Sequence, residues 1–191
     1  MSRPGRLAKL TPIRGRDRVR RLLWRIVRLL MYSPTPVYMH RWRCSVLRAF
    51  GANVHESAFP YPDAKIWAPW NLVMNSGSCL GPNVECYNVA LVHLGRDVTV
   101  SQRSHLCTAS HDYNDPKFPL TGAPIVISDG AWIAAEAFVG PGVRIGARAV
   151  VLARSVIVND VEPSAVMGGN PARHVRDRAF NSDKLPRDET I

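Results

Sequence analysis

Apolar positions change their spacing once along the chain. In residues 14–32, "RGRDRVRRLLWRIVRLLMY", Arg14, Arg18, Arg21, Arg25 and Arg28 recur three or four apart and share one helical face. Leu22, Leu23, Ile26, Val27, Leu29 and Leu30 occupy much of the remaining surface, so the pattern predicts a helix. "SPTP" at 33–36 ends it by removing donors and fixing φ. A second short helix is predicted over 37–50, "VYMHRWRCSVLRAF", closed by Gly51. Residues 1–13 are basic, contain Pro and Gly, and read as a loose arm.

From about residue 51 the spacing is six. Ile127, Ile133, Val139, Ile145, Val151 and Ile157 are all β-branched. The residues that follow the first four, Ser128, Ala134, Gly140 and Gly146, are small. A second block in another phase gives Leu94, Val100 and Leu106, and a weaker third gives Met74, Leu80 and Cys86. A period of six fits neither an amphipathic helix nor a long alternating strand. It fits a coil of three short flat faces, each sending one aliphatic residue inward. Three hexads, about 18 residues, make a coil, and coils stack at about 4.8 Å, so each buries its face against its neighbours. The fold class is therefore all-β: a parallel β-helix over 51–175, behind a basic helical region at 1–50 and before a polar tail at 176–191.

With 46% apolar residues the composition is that of a folded domain. The net charge of +10 points to anionic partners. Much of it lies in the first 48 residues, and no groove with interleaved aromatics is evident, so nucleic acid is not the expected partner. Cys44, Cys79, Cys86 and Cys107 form no CxxC pair, which suits reduced thiols and a cytoplasmic setting. Arginines interrupt every apolar stretch before residue 32, so no signal peptide is predicted. No apolar run approaches the roughly 20 residues of a membrane span. Two readings of the arginine stripe stay open: a solvated face on a helix packed against the main domain, or a helix lying on anionic lipid at the inner face of the cell membrane.

The hexads break just after His111, in "LCTASHDYNDP". Asp112–Pro124, "DYNDPKFPLTGAP", is predicted to project as an irregular loop. His111 sits where the wall ends, so its side chain can face a cleft beneath that loop.

These features resemble a known family. "LGRDVTVSQRSHLCTASHDYNDPKFP", "IVISDGAWIAAEAFVGPGVRIGARAVVLARSVIVNDV" and "VMGGNPARHV" are similar to the hexapeptide-repeat acyltransferases, nearest the galactoside, maltose and colanic-acid-type O-acetyltransferases. The resemblance covers about residues 50–175. It implies a left-handed β-helix, a homotrimer with sites between neighbours, acetyl-CoA as donor and a saccharide hydroxyl as acceptor, in exopolysaccharide synthesis. It implies His111 as general base, a role open to an imidazole near neutral pH. It places Asn88 and Tyr87 near the acceptor, although Asn88 is equally suited to satisfy a turn. Trp132 is implied against the pantetheine arm, with Ala134, Ala135, Gly140, Ala153 and Gly169 as places of close backbone approach. Arg173, and Arg176 beside it, suit the phosphates of coenzyme A. Asp112 and Asp115 either orient His111 or cap the loop, and the loop role is preferred. One departure stands out: Val158 and Asn159 occupy a stretch where relatives carry Thr-Lys.

Two other functions fit parts of the sequence. His93, His105 and His111 would be the zinc ligands of a carbonic-anhydrase-like β-helix, but their spacing puts them on different faces or coils, and no metal is expected. A non-catalytic binding or scaffold β-helix is the other.

Overall fold

The structure is a computed structural model that describes residues 7–9 and 15–179. Residues 51 onward wind into a triangular β-solenoid of about six turns with three parallel sheets as its faces. The first face stacks Asn53–Val54, Leu72–Met74, Val92–Leu94, Ile125–Ile127 and Arg144–Ile145. The second stacks Phe59–Pro60, Cys79–Leu80, Thr99–Val100, Trp132–Ile133, Val150–Val151 and Ala165–Gly169. The third stacks Lys65–Ile66, Glu85–Tyr87, His105–Cys107, Phe138–Val139 and Val156–Ile157. Ala172–Asp177 returns antiparallel on Ala165–Gly169 and closes the C-terminal end of the second sheet.

The predicted inward residues are the core. Leu94, Ile127 and Ile145 line the first face, Val100, Ile133 and Val151 the second, Leu106 and Val139 the third, all with no exposed surface. Each such side chain contributes about 1.5–3 kcal/mol by leaving water. Small residues follow them because the coil above passes close: a Cβ on Gly146 would overlap the Pro163 backbone. The four cysteines are free, and burial raises the Cys86 thiol from 9.0 to about 12.

Coil length departs from the sequence reading. Beyond the hairpin, Ile127 pairs with Ile145 and Ile133 with Val151, the expected 18 apart. In the first three coils Val54, Met74 and Leu94 are in register, 20 apart. The two extra residues lie at the corner between the third and first faces. Asn88 explains how they are held. Its Oδ1 accepts from Ala68 N (2.9 Å), and its Nδ2 donates to Ala68 O (2.7 Å) and Asn71 O (3.0 Å). One coil higher Thr108 takes over, donating to Tyr87 O and accepting from Ala90 N. The hexad interruption grows from this same corner.

The first coil leaves its outer carbonyls without a coil beneath. The N-terminal helices α1 (Gly15–Val27) and α2 (His40–Ala49), with a π-helical turn at Arg28–Tyr32, supply the donors. Trp24 Nε1 donates to Ile66 O (2.8 Å), Tyr32 Oη to Tyr61 O (3.0 Å), Arg43 Nε to Pro60 O (2.7 Å) and Arg48 Nη1 to Val54 O (3.0 Å). An open sheet end is thereby covered. Arg43 is fully buried and, among the described residues, makes no salt bridge; its other nitrogens donate to Thr35 Oγ1, Pro36 O and Val37 O.

The helix departs from the reading in which its apolar residues pack inward: most of them are exposed, while several arginines lie along the domain and Arg20 and Arg25 still keep exposed surface. Arg20 lies over the Trp70 ring, 4.1 Å from its centroid, and Arg21 and Arg25 lie near Trp67. Leu22, Leu23, Ile26, Leu29 and Leu30 face outward. The buried contact that anchors α1 is Trp24, packed on Tyr32 and Phe50. Of the predicted loose arm, Ala8–Lys9 forms a short strand; residues 1–6, 10–14 and 180–191 lie outside the described residues.

Candidate active site

The interruption is an antiparallel hairpin at its base. Ala109–His111 pairs with Leu120–Gly122, and Ala8–Lys9 adds a third strand against Thr121 and Gly122. The segment predicted to be irregular is thus ordered at its C-terminal side, because each strand finds a backbone partner. Lys9 Nζ also reaches Asp115 Oδ2 at 3.2 Å.

His111 ends the first hairpin strand, exposed at the surface. Its imidazole stacks flat on Phe118, with centroids 4.3 Å apart and planes 7° from parallel. Its Nδ1 lies 2.9 Å from Phe118 O. A carbonyl can only accept, so Nδ1 carries a proton, and in the neutral ring Nε2 is the nitrogen with the lone pair. Phe118 has φ +44°, a left-handed conformation that is strained for a bulky residue before proline. That conformation brings both its ring and its carbonyl to one histidine. Sequence reasoning missed Phe118; the only signal for it is an aromatic residue ahead of Pro119 in a loop that opens on a histidine.

The two aspartates brace the tip. Asp112 Oδ1 accepts from Asn114 N (3.1 Å) and Asp115 Oδ1 from Lys117 N (2.9 Å). The Lys117 N–H, then the Lys9 ammonium, holds the Asp115 carboxyl below the usual carboxylate range. The hydrogen-bond partner of the His111 ring is the Phe118 carbonyl, while the Asp112 carboxylate bonds within the loop.

Asn88 is fully buried, and its amide is engaged by Ala68 and Asn71. Its side-chain amide is thus held by the fold, as the turn-satisfying alternative expects. Tyr87, beside it, is half-exposed on the third face and packs edge-on against Trp67, 5.2 Å away.

The remaining candidates gather at another corner, between the second and third faces. Trp132 is 45% exposed, and its Nε1 donates to Ser101 Oγ (2.9 Å). Ala134 N donates to Val151 O and Arg154 N to Ala135 O, which stacks Ala135 beneath Ala153. Gly169, at φ +99°, donates from its N to Ser155 Oγ on the same column. Arg173 is exposed on the returning strand opposite Gly168. Beside this column Glu136 bridges Arg103 (2.6 Å) and Arg154 (2.7 Å), and these guanidiniums lower its pKa, Arg154 foremost. The third face therefore separates this column from His111 within one chain.

The three histidines offered as zinc ligands are apart. His93 lies on the first face near Asn75, His105 on the third against Phe138, and His111 on the hairpin. Among the described residues no group of three His, Cys, Asp or Glu side chains is placed to hold a metal.

Comparison with known proteins decides the family. The chain is 36% identical over 165 residues to the candidate colanic acid biosynthesis acetyltransferase WcaF of Escherichia coli strain K12, covering 86% of this chain and 91% of that one. It belongs to the hexapeptide-repeat acetyltransferases. No family model matches the chain. A hexapeptide-repeat acetyltransferase of Vibrio cholerae, solved with acetyl-CoA, superposes with a TM-score of 0.74 at 28% identity, over 85% of this chain and 89% of that one. A galactoside acetyltransferase solved with coenzyme A shares the fold, with a TM-score of 0.68 at 21% identity, over 91% of this chain and 86% of that one. As a member of the family this chain is an acetyltransferase. No helix among its described residues is long and apolar enough to cross a membrane.

Proposed function

We propose that this acetyltransferase moves an acetyl group from acetyl-CoA to a saccharide hydroxyl in exopolysaccharide synthesis, with His111 as general base. The observation that carries the reading is the Nδ1–Phe118 carbonyl bond, which leaves Nε2 as a fixed acceptor on an exposed hairpin. Nε2 takes the hydroxyl proton as the oxygen attacks the thioester carbon. The C–S bond then breaks, and the imidazolium returns the proton to the departing thiolate. The Phe118 carbonyl favours the transient cation, since a hydrogen bond from a charged donor is about twice as strong as a neutral one.

The donor runs along the second–third corner. Trp132 flanks the pantetheine arm, Ala134, Ala135, Ala153 and Gly169 admit it closely, and Arg173 meets the phosphates. His111 and this column lie at different corners, which supports a homotrimer whose sites combine the hairpin of one subunit with the corner of its neighbour. The outward leucines of α1, with the exposed Arg18 one turn before Leu22, support peripheral contact with an anionic membrane surface.

Calorimetric titration with acetyl-CoA tests the donor site. Binding is expected, weakened at least about tenfold by Arg173→Ala. His111→Ala is expected to bind acetyl-CoA normally while transfer falls by about 10²–10⁴-fold. Absence of acetyl-CoA binding, or full transfer by His111→Ala, would overturn the reading.

A further inference from the structure

A second concavity lies below the hairpin. Between α1 and the lowest two strands of the third face is a cavity of about 230 Å³. Trp67 and Tyr87 line it with aromatic surface, and Arg21, Arg25, Arg28 and Lys65 with cationic groups. Arg21 and Arg25 sit 5.5 and 5.8 Å from the Trp67 ring centroid. Glu85 is its carboxylate, and among the described residues it forms no ion pair with these arginines. Four cations against one carboxylate leave the concavity strongly positive.

We propose that this cavity binds the phosphate-bearing end of the saccharide acceptor. The inference rests on the saccharide reading above and adds the acceptor's chemical class: a glycosyl phosphate or diphosphate. Guanidinium groups meet phosphate oxygens with paired donors, and three of them converge here. The apolar C–H face of a sugar ring suits the Trp67 and Tyr87 surface. The cavity is smaller than the roughly 300–1,000 Å³ of sites that enclose a whole ligand, so it holds one end of a longer molecule. The other end has a path to the base. Tyr87 is in register with Cys107 one strand higher, Thr108 bonds Tyr87 O, and the hairpin carrying His111 starts at Ala109. The acetylated ring then lies beyond the phosphate, toward the hairpin.

A soluble nucleotide and a lipid both carry sugars on diphosphate, so the test separates them. Inorganic pyrophosphate is titrated into the full chain with coenzyme A saturating. Binding is expected to weaken at least about tenfold in Arg25→Gln/Arg28→Gln, to survive largely in Arg25→Lys/Arg28→Lys, and to be unchanged in Arg173→Ala. Acetyl-CoA affinity of the Gln variant should equal wild type, which also shows that it is folded. UDP-glucose binding tighter than pyrophosphate assigns a nucleotide carrier, and tighter farnesyl diphosphate a lipid carrier. No pyrophosphate binding, binding equal in the Gln variant, or neither conjugate tighter than pyrophosphate overturns the proposal. If acetyl-CoA fails to bind wild type while the pyrophosphate response keeps its Arg25/Arg28 dependence, the acetyl-transfer reading falls and the phosphate site stands.

Discussion

His111 and Arg43 are both positioned by backbone carbonyls rather than carboxylates. For His111 the carbonyl fixes the tautomer. For Arg43 four oxygens replace the water lost on burial: three carbonyls and the Thr35 hydroxyl. Desolvation lowers the pKa of Arg43, but the fixed fork of donors explains its choice. Arg43→Met should lower unfolding stability by about 3–5 kcal/mol, because buried acceptors lose their partner. Arg43→Lys should recover little of that, since one ammonium cannot reach the same four oxygens. Denaturant midpoints for the two variants check this; a near-wild-type Arg43→Met would mean that relaxation or water restores the acceptors.

Two elements share the corner between the third and first faces: the widened turns below and the hairpin above. Asn88 and Thr108 occupy equivalent positions one coil apart, and each bonds the backbone of a neighbouring coil. A corner already two residues longer tolerates a further insertion without disturbing the three flat faces. Asn88→Ala should therefore act on stability, lowering it by about 1–3 kcal/mol as the Ala68 backbone groups lose their partners. Its acetyl-CoA affinity and its KM for a working acceptor should stay near wild type. A selective rise in acceptor KM without loss of stability would restore the ligand-contact role. The segment predicted to be irregular became a hairpin because Leu120–Gly122 lies beside Ala109–His111 and Ala8–Lys9. The inner pairing is local, and only the Ala8–Lys9 strand comes from more than 100 positions away.

At the scale of the whole molecule, two surfaces ask for partners. The histidine hairpin and the Trp132 column lie at separate corners, so a shared site between subunits is testable by mixing. His111→Ala and Trp132→Ala chains, each weak alone, should regain activity when unfolded and reassembled together, because some interfaces then combine two intact halves. No recovery would place each site within one chain. The second surface is the outer face of α1 and the turn after it, where Leu29 is 68% exposed and Leu30 67%. Anionic vesicles should sediment the protein at low salt. Leu29→Ser/Leu30→Ser should reduce that binding severalfold through lost apolar burial, and added salt should weaken it by screening the arginines. No sedimentation at low salt would rule out the membrane contact.

The amino-acid sequence by itself determined the solenoid, because a β-branched residue every sixth position admits few other burials. It also determined where the wall is interrupted, since the hexads stop just after His111, before a Pro-rich segment. The helix over 14–32 was legible too, but not its orientation. Periodicity shows that arginines share a face; it does not show which face meets the domain. That was decided by Trp67 and Trp70, whose rings Arg20, Arg21 and Arg25 lie against, and by Ile66 O, which takes the Trp24 N–H. The 20-residue coils, the burial of Asn88 and the pairing of His111 with Phe118 were likewise set by tertiary structure. Each depends on backbone groups brought together by stacking, and a one-dimensional pattern of side chains does not record where carbonyls and amides point.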